Sequence, residues 1–188
     1  MNWGARSRIG ISAPVGVVMA FNYNLDFENI NFREKPELYQ IGKGEQGVFL
    51  VEPYKSEILP HWRFKNAEVA QESSAKIYDL FLDYLEQNDF VGADMARKFL
   101  QMGFTRARRY ANHKSGQKYA KTKKRDVSKL DYPYSSGSQY KDNPVLEQSQ
   151  DWGTNEKAKA AAIFKERWFL AKDNAKYKQL AQKHRENS

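Results

Sequence analysis

The sequence predicts an α+β fold: a small β-rich part at the N-terminus, central helices, a long basic loop, and a C-terminal helix that packs back on the core. Three observations carry this expectation. Apolar residues alternate at Phe21, Tyr23, Leu25 and Phe27, the period of a half-buried strand. Apolar stripes at helical spacing run from Val69 to Tyr84 and from Ala158 to Ala171. Between His113 and Gly153 neither period survives, and Ser, Gly, Tyr, Lys, Asp and Pro dominate.

In chain order, Arg6 and Arg8 precede a mildly apolar stretch whose Ser12, Pro14 and Gly16 make a poor signal core. Residues 1–18 are therefore expected to be a flexible extension, with Met19 a native start and residues 19–188 a single α+β domain. Phe21 to Phe27 is predicted to be a short strand, and Pro36 the first residue of a helical turn that reaches Tyr39. Tyr39-Gln40-Ile41 and Val48 to Val51 read as arms of a hairpin around a glycine-rich turn, stopped by Pro53. Trp62 and Phe64 alternate around Arg63, again extended in character.

Asn66 is a predicted N-cap for a helix that runs to about Gln87, with Glu68 in its first turn. A second helix is expected from Phe90 to Met102, ended by Gly103 as a left-handed C-cap. Thr105 then caps a third, short helix that fades near Asn112. After a loop at about 113–153, far longer than ordinary connections, Asp151 or Thr154 starts the last helix, and Asp173-Asn174 restarts it for Tyr177 and Leu180.

Composition narrows the function. The apolar share of 40% and aromatic share of 14% exclude a wholly disordered chain, while the mean hydropathy of −0.83 leaves much of it solvated. With no cysteine, disulfides, thiolate catalysis and Cys-bound zinc or iron–sulfur sites are excluded. No apolar run approaches the roughly 20 residues needed to cross a bilayer, so no membrane partner is expected. A reducing, cytoplasmic location suits this usage.

Charge is the most specific signal. Gly92 to Arg125 holds eleven Lys and Arg against one acid, Asp94, in a chain whose net charge is +8. Such a field attracts polyanions. Arg106, Arg108 and Arg109 lie on the short third helix with Tyr110, and Lys114, Lys118, Lys121, Lys123, Lys124 and Arg125 form an arm downstream; Phe104 and Tyr119 add rings. The expected contacts are to phosphates rather than base edges. The expected partner is nucleic acid, DNA or RNA, or another polyanion; the plain alternative is a solvated charged surface. The sequence sets no oligomeric state and implies no cofactor.

A second class of function is an enzyme acting on a phosphorylated or nucleotide-like ligand. Gly42, Gly44 and Gly47 match G-x-G-x-x-G, a pattern that lets backbone amides approach phosphate, although a strand rather than a helix is expected to follow. His61 is the general-base candidate, since imidazole titrates nearest neutral pH, with Glu52 and Glu57 as nearby acids. No metal site is predicted from His61, His113 and His184. A third class is a protein-interaction factor whose basic face meets an acidic protein.

The stretches GKGEQGVFLVEPYKSEILPHWRF, ARKFLQMGFTRARRYANHKSGQKY and AAIFKERW together resemble a small family of uncharacterised cytoplasmic proteins of bacteria and viruses, described only as a domain of unknown function. The likeness covers most of Met19 to about His184. It implies an intracellular location and places residues 1–18 outside the domain, and it carries no catalytic residues across.

Overall fold

Asn66 accepts a hydrogen bond from Val69 N at 2.9 Å through its side chain, and a 20-residue helix, Ala67–Glu86, follows. The device recurs three times. Asp89 accepts from Gly92 N (3.0 Å) ahead of Phe90–Asn112, Asn155 from Ala158 N (2.9 Å) ahead of Glu156–Asp173, and Asn174 from Tyr177 N (3.0 Å) ahead of Ala175–Glu186. Each oxygen satisfies a backbone donor that the helix itself cannot. With the short Tyr54–Ile58 as α1, these four are α2 to α5. The structure, a computed structural model, describes residues 21–127 and 138–187; residues 1–18 of the expected extension and 128–137 of the long loop lie outside them.

The α+β expectation is corrected: the described residues contain helices and turns, no strand, and one isolated antiparallel bridge between Tyr119 and Val145. The alternation at the N-terminus has another cause. Phe21 is buried and Tyr23, Leu25 and Phe27 are partly buried against the core, but their backbone closes on itself, with Phe27 N on Leu25 O at 2.9 Å and Asn29 N on Asp26 O at 3.1 Å. One-sided burial needs no neighbouring strand. The expected hairpin is likewise a run of turns: Gly44 and Gly47 take positive φ (61° and 83°), and Val48 N and Leu50 N bond back to Glu45 O and Gly47 O. Pro36 does open a helical turn, Pro36–Leu38.

Helix α3 is the central element, packed against α1, α2, α4 and α5, and buried at every residue from Phe90 to Ala96. Its continuity corrects a second expectation. Gly103 does not end it; α3 runs on through Gly103 to Asn112. A Cβ built on Gly103 would stand 2.2 Å from Cδ1 of Phe164, so the glycine's missing side chain is the seat for that ring. Around it α4 offers Ala158, Ala160 and Ala161 to the core, which lets the two helices approach. Trp168 is half-buried and stacks on Phe104 of α3.

A buried ionic cluster fastens the irregular N-terminal segment and α5 to α3. Asp94, wholly buried, accepts from Tyr177 Oη at 2.6 Å, from Arg97 Nε at 2.8 Å, and from Tyr39 Oη through a short bond. Lys98, also wholly buried, lies 3.5 Å from Asp94 and donates to Gln46 O at 2.7 Å. Burial alone would push the Asp94 carboxyl up; Arg97, Lys98 and the two phenols outweigh it and hold the carboxyl well below the ordinary range. Two cations of the basic stretch, Arg97 and Lys98, are therefore interior groups rather than surface charge.

Candidate nucleic-acid interface

Positions three, four and seven apart share one face of a helix. On the last turns of α3 these are Thr105, Arg108, Arg109 and Asn112. The chain then reverses through Lys114–Gly116, where Ser115 (φ 57°) and Gly116 (φ 68°) take the left-handed conformation. It returns as Lys118 and Tyr119. Ala120 N on Pro144 O (3.0 Å) and Leu146 N on Lys118 O (2.8 Å) tie this return to the segment 138–146, which brings Ser138 and Lys141 to the opposite wall. Between the walls lies a cleft of about 560 Å³, floored in part by Phe104 and His113.

Four cations, Arg108, Arg109, Lys118 and Lys141, line the cleft, and among the described residues no carboxylate does. The arginines are held by neutral acceptors. Arg108 donates from Nε to Asn112 Oδ1 at 3.1 Å and from Nη2 to the carbonyl of Trp152, whose ring lies 5.4 Å from its Cζ. Arg109 donates from Nε to Gly116 O at 2.5 Å. Both guanidiniums are thus positioned without being neutralised, and each keeps donors to spare from its five N–H groups. Lys118 stands 5.4 Å over the ring of Tyr119. Among the described residues the ion pairs leave out Arg106, Arg108, Arg109, Lys114, Lys118, Lys121, Lys123 and Lys124. Thr105, which also lines the cleft, donates from Oγ1 to Glu45 at 2.5 Å.

The other residues singled out in the sequence are dispersed. Lys114, Lys121, Lys123 and Lys124 are exposed along the arm, and Arg125 is held by Ser138 O (2.6 Å) and stands 3.9 Å from Asp142. Arg106 and Tyr110 do not line the cleft; Tyr110 covers Gly116 and lies 5.9 Å from the ring of Phe64, with Lys157 also 5.9 Å away. Lys141, Ser138 and Asn112 were not singled out by the sequence. Lys141 follows an aperiodic segment, and nothing local reveals that it returns beside Arg109.

The acid–base candidates stand apart from the cleft and from one another. His61 is exposed at a cavity of about 230 Å³ that Arg63, Glu72, Ser73 and Lys76 also line, and neither Glu52 nor Arg106 reaches it. Glu57 takes two bonds of 2.8 Å from Arg33 and one of 2.6 Å from Tyr84, and the arginine holds its carboxyl below the ordinary range. Burial raises Glu52, but Lys55 and Ser56 overcome it and leave that carboxyl lowered too. Both acids are engaged as anions in local pairs. His61→Ala is expected to change stability by no more than about 0.5 kcal/mol in a urea melt, as for an ordinary surface position.

The glycine loop closes over the core. A Cβ on Gly47 would meet the Phe21 ring at 2.5 Å, and one on Gly42 would meet Gln46 Cβ at 2.7 Å. The amides of Lys43, Gln46 and Val48 donate within the loop, and Gln46 O receives Lys98. No helix begins directly after it, and the loop lines neither the cleft nor the cavity at His61.

Among the described residues no group of three or more His, Asp or Glu stands where it could hold a metal ion. In the same residues, no helix is long and apolar enough to cross a membrane. A family profile described as "Domain of unknown function (DUF4385)" matches residues 22–187. No curated protein and no solved structure matches the chain.

Proposed function

The chain belongs to that DUF4385 family, and we propose that it acts by binding nucleic acid along the phosphate backbone, in the cleft at the end of α3. One observation carries the reading: Arg108 and Arg109 are fixed by carbonyl and amide oxygens, share the cleft with Lys118 and Lys141, and meet no carboxylate there among the described residues. A cation fixed by a neutral acceptor keeps its full attraction for an anion and loses little freedom on binding. Lys114, Lys121, Lys123 and Lys124 extend the same field beyond the cleft. The working compartment we propose is the cytoplasm, as the family resemblance implies; the absence of cysteine is compatible with it.

Salt dependence tests this. Each phosphate neutralised releases counterions, so about five contacts predict a log–log slope of binding against salt near −4. Replacing Arg108 and Arg109 together by Ala is expected to reduce the slope by about two, with the helical fold retained by circular dichroism and a melting temperature lowered by the lost bonds to Trp152 O and Gly116 O. Fluorescence anisotropy with labelled oligonucleotides reads both. No binding to any nucleic acid at low salt would overturn the proposal, and tight binding of an acidic protein in its place would favour a protein-interaction role.

A further inference from the structure

We infer that the ligand of this cleft is single-stranded, and that a strand leaving it lays an unpaired base on an aromatic row continued by α4; the inference rests on the nucleic-acid reading above. Phe104 belongs to both places. It borders the cleft, and its ring stacks on Trp168 with centroids 5.8 Å apart and planes at 21°. Trp168 in turn lies 5.1 Å from Phe169, which is 40% exposed. The rings therefore lead from the lining of the basic cleft to the outer face of α4, stacked at Phe104 and tilted by 59° at Phe169.

Cations accompany the row. Lys165 stands 5.8 Å from the Phe104 ring and 5.4 Å from the Phe169 ring, and Lys172 stands 4.4 Å from Phe169. Lys165, Phe169 and Lys172 are spaced four and three apart, so they share one face of the helix. Lys165 is in no ion pair among the described residues, and Lys172 has only a loose one, 3.9 Å to its exposed neighbour Asp173. The lysine heads lie over the Phe169 ring on flexible stems, and a nucleotide offers both a flat face to replace them on the ring and an anion to draw them aside. A duplex keeps its base faces inside the stack, so it can use the lysines but not the ring. A single strand uses both.

The experiment compares a labelled single strand with a duplex of the same length, binding wild type, Phe169→Ala and Phe169→Trp. Phe169 is a surface group, and the folds are checked by circular dichroism. Phe169→Ala is expected to weaken the single strand roughly tenfold and leave duplex affinity and the salt slope unchanged, with Phe169→Trp restoring or improving the single-strand affinity. An unchanged single-strand affinity in Phe169→Ala, or an equal loss on duplex, overturns the inference. If wild type binds both forms through Arg108 and Arg109 and Phe169 is indifferent, the cleft stands and only the aromatic row is lost; if wild type binds neither, both readings fall.

Discussion

Asp94→Ala is expected to destabilise the protein by about 3–5 kcal/mol, because removing one member of a buried charge cluster leaves its partners buried and unpaired. Lys98 has no exposed surface, and the side chain of Arg97 is 11% exposed. The same change strips the acceptor from Tyr39 and Tyr177, which reach Asp94 from the N-terminal segment and from α5. Urea melts measure the loss, and a change under about 1 kcal/mol would show that the cluster is not holding these parts together.

The cluster also makes a pH prediction. The folded carboxyl of Asp94 lies below its unfolded value of about 3.9. Its contribution is therefore fully present above that value and is lost as pH falls beneath it toward the folded value. Wild type is expected to lose stability below about pH 4 more steeply than Asp94→Asn, which has no proton to take up at this position. Parallel acid limbs for the two proteins would contradict the assignment.

Gly103→Ala is expected to destabilise by about 1–3 kcal/mol, in the opposite sense to an exposed helix position, where alanine in place of glycine gains about 1 kcal/mol. The reason is space. The new methyl would stand 2.2 Å from Cδ1 of Phe164 and 2.5 Å from two more ring carbons, and Phe164 is wholly buried between α3 and α4. Pairing Gly103→Ala with Phe164→Leu should cost less than the two single changes together, since the smaller side chain vacates the contested volume. A raised melting temperature in Gly103→Ala would show that the helices part there without penalty.

Helix starts were the most legible part of the fold. Asn66 is readable as a cap and Asp173-Asn174 as a restart from their own sequence neighbourhoods, and the structure places caps at Asn66 and Asn174. The cap of α4 is Asn155 rather than Asp151 or Thr154, and Thr105, expected to cap a third helix, lies inside α3. A cap is a bond over three residues, so the information lies beside it. The strand expectation failed at Phe21 to Phe27 because alternation reports one-sided burial, and here the covering groups are the glycine loop, Phe32 and Lys98 rather than a neighbouring strand. Gly103 reads locally as a stop. Its partner, Phe164, is on another helix, and no local rule could supply it.

For the candidate site, the residue types were legible and their grouping was not. Arg108 and Arg109 stand in the cleft with Lys118, while Arg97 and Lys98 from the same basic stretch are turned inward. Asp94, the one acid of that stretch, is the pivot of the interior rather than an exception on a charged surface.

From its own residues the chain determined where α2 and α4 lie, where α3 begins, how α2 is capped, and which stretch holds the positive charge, because periodicity, capping and charge density act over one or two helical turns. Tertiary contact settled the rest: a glycine that seats a ring, a carboxylate that gathers groups 55 and 83 residues away, and a cleft whose far wall comes from the segment 138–146. Those outcomes depend on which side chains occupy the same few cubic ångströms after the chain has closed on itself, and that volume has no address in the local sequence.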